Sequence, residues 1–204
     1  GSDRYETAKK VAERAKVEMG GRYDGTVFLS TGANYPDALA ASPLAAGNGW
    51  PILLIKSTGL PEFTKQALTN LGADRVLVIG GVSAVPDAVK VQAEAIVGSP
   101  ALRLAGGNRF ETAVKIATYG VDYAGLDWNG MALATGRKFP DALAGGCAQG
   151  KLGSVMLLTE VTALPTETEA AITAHKNEIN QVMFFGGDSA IDAVVRTKVA
   201  NLLQ

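Results

Sequence analysis

The chain has a single cysteine, Cys147, so no disulfide can form within it. That suits a cytoplasmic protein and equally an exported one that dispenses with disulfides. His175 is the only histidine, and no Cys/His spacing of a zinc site surrounds it, so no metal is expected. The formal net charge is −1. Without an overall basic field, nucleic acid is not an expected partner, and an anionic partner would have to be held by a local patch. No apolar run is long enough to span a bilayer, so no membrane partner is expected. No basic segment followed by an apolar core marks a signal peptide. The chain reads as a piece cut from a larger array, with Gly1-Ser2 either native or a tag remnant, so this last absence assigns no compartment.

Nucleotide and nucleophile signatures are missing too. "GGVSAV" at Gly80 lacks the third glycine of G-x-G-x-x-G, and "TGANYP" at Thr31 lacks the Walker ending. No G-x-S-x-G elbow occurs. No cofactor is therefore expected.

Apolar residues are plentiful, at 47% against 19% charged, which marks a globular chain rather than a disordered one. Glycine and alanine are abundant, suiting close approach of helix to sheet. The most informative feature is a repeat. "RYETA" at Arg4 returns as "RFETA" at Arg109. "TGANYPDALA" at Thr31 returns as "TGRKFPDALA" at Thr135, "PILLIKSTGLP" at Pro51 as "VMLLTEVTALP" at Val155, and "VLVIGGVSAV" at Val76 as "VMFFGGDSAI" at Val182. The order is kept at a near-constant spacing of 104 to 106 residues. That is too long for a solenoid repeat, so the chain reads as a duplicated domain, with residues 1–107 as the first copy and 108–204 as the second.

Each copy alternates helical and strand patterns. Tyr5, Ala8, Val11, Ala12 and Ala15 fall at helical spacing. "TVFLST", "PILLI" and "RVLVIGG" read as short strands, and "ALRLAGG" as a last strand leading into the second copy. Apolar strands separated by helices predict an α/β fold: two tandem Rossmann-like or flavodoxin-like units, each a small parallel sheet with helices on both faces. Strand order is not readable. Ser83 is expected to cap the helix through "AVPDAVKVQAEAI", and Cys147 to be a small buried core residue. Asp3 with Glu6, and Asn108 with Glu111, have capping-box spacing, so the recurring phrase is read first as helix initiation.

At "RYETA", "TGANYPDALAASPLAA", "PILL" and "VIGG", the chain resembles the cell wall-binding repeat family, type 2, of bacterial surface-layer proteins and autolysins. The resemblance covers nearly the whole chain twice; the second copy departs from it with "VMLL" and "FFGG". It implies a non-catalytic, extracellular module that anchors a surface protein to an anionic polysaccharide or teichoic-acid-like polymer of a Gram-positive wall. It also implies modules in threes, in a triangular assembly, so that a third repeat or self-association would complete the pair here.

Ligands of open parallel sheets sit beyond the C-terminal strand ends. The candidate contacts are Thr31, Asn34, Asp37, Arg103, Arg109, Thr135, Arg137, Lys138 and Asp141. Asp37 and Asp141 have a plain explanation as helix-start carboxylates. Arg137 and Lys138, which replace Ala33 and Asn34, place two adjacent cations in one loop, suited to phosphate or carboxylate groups. Rival expectations are an enzyme acting on a phosphorylated or sugar substrate at the same ends, and an assembly scaffold that binds no glycan. Catalysis is disfavoured because what recurs between the copies is mostly glycine, proline, alanine and aliphatics.

Overall fold

The computed structural model describes residues 1–137 and 140–204. The chain divides into two compact units: Gly1–Ala38 with Gly49–Ala105, and Leu39–Asn48 with Gly106–Gln204.

The first unit is built on β1 (Thr26–Thr31), β2 (Ile52–Ile55), β3 (Arg75–Ile79) and β4 (Leu102–Leu104), all parallel and in the order β2-β1-β3-β4. Central β1 is buried along its whole length, as a strand covered on both faces must be. One face carries Val27, Leu29, Leu53, Ile55, Val76 and Val78. They pack with residues such as Ala12, Leu68, Leu71, Val89 and Ala93 of α1 (Arg4–Met19), α3 (Glu62–Leu71) and α4 (Asp87–Val97). Leu29 is fully buried; truncating such a leucine to alanine costs about 2–5 kcal/mol.

Local signals set the helix ends. Asp3 accepts from the N–H groups of Tyr5 and Glu6 at 2.9 and 2.8 Å and so starts α1. Asn108 does the same for Phe110 and Glu111 at α5 (Arg109–Tyr123). The capping box closes one residue earlier than its usual form: Glu6 accepts from Ser2 N–H, and Glu111 from Gly107 N–H, so neither returns to the cap residue's own N–H. Helix α3 stops at Gly72 in the left-handed region. Ser83 is not a cap: it lies in a turn, and α4 begins only at Asp87. Pro86 holds the chain extended there and disfavours helical backbone at the residue before it. Ser189 likewise sits in a turn, and Asp192 caps α8 (Ala193–Leu202).

The second unit has three parallel strands, β5 (Asp127–Thr135), β6 (Ser154–Thr159) and β7 (Met183–Phe185), in the order β6-β5-β7. Besides α5 and α8 it holds α6 (Pro140–Leu152) and α7 (Thr166–Ala174). Helix α2 (Pro36–Asn48) contributes residues Leu39–Asn48 to this unit. Its chain runs against α6 where α6 has no side chains: a Cβ on Gly150 would lie 2.4 Å from the Pro43 carbonyl oxygen. On α6, Ala142, Gly145, Gly146, Gln149 and Gly150 are buried. Cys147 falls outside that stripe and is exposed, contrary to the expected core position. A helix turns 100° per residue, so a site between two buried pairs points away from them.

Candidate binding rim at the strand ends

Strand β1 ends at Thr31, whose Oγ1 accepts from Ala33 N–H at 3.2 Å. Gly32 N–H donates to Ile55 O at 2.9 Å, tying the turn to β2. The opening phrase of the repeat reaches this turn. Arg4 Nη1 donates to Gly32 O, and the Tyr5 ring lies so close that a Cβ on Gly32 would sit 2.9 Å from Tyr5 Cε1. Lys56, just past β2, holds its ammonium 5.1 Å from the centre of the same ring. That is cation–π range, and Lys56 makes no ion pair among the described residues. Asn34 and Tyr35, in the loop that follows the β1 turn, are exposed. A cation over an aromatic ring, on a rim of backbone polar groups, suits an anionic or hydroxyl-rich ligand.

The second unit repeats the frame with different charges. Thr135 accepts from Arg137 N–H at 3.2 Å, Gly136 N–H donates to Thr159 O at 2.9 Å, and Arg109 Nη1 donates to Gly136 O at 2.6 Å. Phe110 takes the place of Tyr5, its Cε1 3.3 Å from where a Gly136 Cβ would be. Arg137 is held by both oxygens of Glu160, at 2.6 and 2.7 Å. That fork raises the guanidinium pKa further above its ordinary value, chiefly by hydrogen bonding and then by charge. Glu160 stands where the first copy has Lys56, so a cation gained at Arg137 is matched by one lost. Lys138 lies outside the described residues.

The other candidate contacts have internal employment. The Thr31 and Thr135 hydroxyls are buried in their own turns. Asp37 sits in the first turn of α2 with its carboxylate 2.6 Å from the place a Gly80 Cβ would occupy; Asp141, at the start of α6, stands 2.8 Å from the equivalent point on Gly186. Both glycines have φ above +100°, a backbone that side-chained residues rarely adopt. Arg103 grips the turn after β3: Nη1 donates to Gly80 O at 2.6 Å, and Nη2 to Val85 O at 2.8 Å and Asp87 Oδ1 at 2.9 Å. Asp37 and Arg103 thus both meet Gly80, each packed against backbone. His175 is elsewhere, at the end of α7, stacked on Trp128 at 4.1 Å and bonded to Glu178 at 2.8 Å.

Lys56, Tyr5 and Tyr35 were not singled out by the sequence pattern. The available signal was the paired exchange of Ala33 for Arg137 and Lys56 for Glu160 between the copies, which places charge of either sign on one rim.

The model of cell wall binding domain 2 (CWB2) matches residues 1–90 and again 103–196. The chain belongs to the CWB2 family. It is 32% identical over its full length to the N-acetylmuramoyl-L-alanine amidase LytC of Bacillus subtilis, of which it covers 37%. It is 28% identical over 98% of its length to the amidase enhancer of the same organism, covering 26% of that protein. The chain therefore spans about a third of the curated relatives it matches. Among solved structures, Cwp6 from Clostridium difficile superimposes with a TM-score of 0.87 at 24% identity, over 99% of this chain and 31% of that one. Cwp8 from the same organism gives 0.81 at 21%, over the whole of this chain and 33% of its own. At such identities the likeness speaks for the fold alone, and the fold is that of tandem CWB2 units. The duplicated phrases of the sequence coincide with the two CWB2 matches, and the family is one of cell wall binding.

Proposed function

We propose that this CWB2 pair is a non-catalytic, extracellular anchor that holds a surface protein on an anionic secondary polymer of a Gram-positive wall. The polymer contacts the rim where the TG turns hand over to helices. The observation that supports this best is the grouping of Arg4, Tyr5 and Lys56 around Gly32, with Lys56 in no ion pair among the described residues. In the second unit, Arg137 and Lys138 take part on the matching loop. Arg137 is shared with Glu160, so its contribution is smaller than its charge suggests. Weak contacts on two rims of one chain add through avidity. Among the described residues no helix is long and apolar enough to cross a membrane.

Co-sedimentation with purified Gram-positive walls, before and after mild acid extraction of secondary polymers, tests this. Binding should fall after extraction and weaken as salt rises, because charged contacts at an exposed rim are screened over about 8–10 Å. Equal binding to stripped walls would place the ligand in the peptidoglycan instead. The chain with Arg137 and Lys138 both changed to alanine should stay folded and bind less.

A further inference from the structure

Strand β7 is an edge that the first unit shows covered. There, β3 pairs on its outer side with β4, in the register Leu77↔Leu102, Val78↔Arg103, Ile79↔Leu104, and Gly80 N–H donates to Leu104 O at 3.0 Å. In the second unit β7 pairs with β5 alone, and Gly186 N–H, the counterpart of Gly80 N–H, has no partner among the described residues. The two faces of that edge are prepared differently. On one, a groove of 420 Å³ is lined by Pro140, Asp141, Ala144, Ala148, Phe184 and Phe185, among others. It lies beside Phe185, which corresponds to Ile79, the register partner of Leu104. On the other, Arg196 of α8 lies 4.9 Å from the Phe184 ring and donates to Gly186 O at 2.8 Å and Ile191 O at 3.0 Å. These are the counterparts of Gly80 O and Val85 O, the two carbonyls that Arg103 of β4 holds. Arg196 is not the repeat counterpart of Arg103; its own counterpart is Lys90, which pairs with Glu94.

We infer that the outer edge of β7 is a docking site for an extended peptide of aliphatic–Arg–aliphatic sequence, the β4 pattern. The peptide would add as a parallel strand against Met183–Phe185, lay its second aliphatic side chain in the groove beside Phe185, and offer its arginine to the carbonyls that Arg196 now occupies. Strand addition supplies main-chain hydrogen bonds for affinity and side-chain pockets for selectivity. An exposed edge is an open template for such pairing. Arg196 acts as a resident stand-in that satisfies the turn until the strand arrives. This goes beyond the wall-binding reading and does not depend on it.

The test lengthens the chain so that a second copy of the segment Gly98–Gly106 follows Leu203, reproducing the spacing from α4 to β4. Hydrogen exchange at Gly186 N–H should slow at least about tenfold relative to the parent. A version with the added arginine changed to alanine should protect less. A separate titration of the unlengthened chain with a free peptide of residues 100–106 should shift the amide resonances of Met183–Gly186 saturably. Unchanged exchange in a lengthened chain that keeps its helical circular dichroism would overturn the proposal. So would self-association of the parent through β7 that the peptide fails to displace.

Discussion

A Cβ placed on Gly145 would lie 2.3 Å from Cδ2 of Phe185. The corresponding positions of the first copy are Ala41 and Ile79. The second copy has thus traded a smaller strand residue for a ring and removed a methyl from the facing helix. Small-to-large changes in a packed layer survive when volume is conserved.

Gly145→Ala should therefore destabilise the chain by about 1–3 kcal/mol, which lowers Tm by roughly 2–4 °C per kcal/mol at this size. Adding Phe185→Ile to that variant should recover much of the loss, because it restores the combination of the first copy. A double-mutant cycle in urea would show a coupling of about 0.5–3 kcal/mol. Additive effects would mean that the ring moves aside at little cost.

Arg103 is expected to matter for folding rather than for ligand. Its guanidinium spans two carbonyls and Asp87, and hydrogen bonds to charged groups contribute about 1.5–3 kcal/mol. Arg103→Ala should lose stability on that scale. Arg103→Lys should recover only part, since one ammonium cannot reproduce the planar fork. Urea denaturation measures both, and wall binding per folded molecule should be unaltered.

Most of the fold was legible because its signals are local. Strand runs such as "TVFLST" are apolar enough to require burial on both faces, and Asp3 and Asn108 announce their helices. The duplication gave each assignment a second witness. Strand order was not legible, since it is fixed by how crossovers pack and not by any one residue. Nor was the placement of α2, most of which packs with the second unit through glycines that carry no hydrophobic signature. The site was half legible. The strand-end turns were found from glycines and repeat spacing, but Arg4, Arg109 and Arg103 all reach backbone carbonyls of the strand-end turns, which leave no trace in the sequence. Glu160 lies 23 residues beyond Arg137, so their pairing needed the sheet to bring β5 and β6 together.

Acid should loosen the start of α1 late. Glu6 is pushed down to about 2 from an ordinary 4.5, first by hydrogen bonding to Lys10 and then by Ser2 N–H. A carboxylate depressed in the folded state adds stability that is fully present above its unfolded pKa and lost as pH falls through the folded one. The window here runs from 4.5 down to about 2. Glu111 is lowered for the same kind of reason, led by Gly107 N–H. An NMR titration should show the Glu6 carboxyl still ionised at about pH 3, and Glu6→Gln should narrow its stability gap to the parent as pH approaches 2. A Glu6 midpoint in the ordinary carboxylate range would remove the ion pair from the account.

Lys56 and Arg137 separate the rim from mere surface charge. Both are cations on the strand-end rims of their units, Lys56 after β2 and Arg137 after β5. Lys56 stands over Tyr5 and forms no ion pair among the described residues, whereas Arg137 is clamped by Glu160. A polymer phosphate or carboxylate that engages Arg137 must first compete with Glu160, whereas Lys56 is available at once. Lys56→Ala should weaken binding to purified walls by about tenfold, the equivalent of roughly 1.4 kcal/mol, with no change in Tm, since exposed charges contribute little to folding. Arg137→Ala should weaken it less. Glu160→Ala releases that clamp and removes a repelling carboxylate, so it should strengthen binding, most clearly at low salt. If Glu160→Ala leaves binding unchanged while Lys56→Ala abolishes it, the polymer sits on the first unit alone.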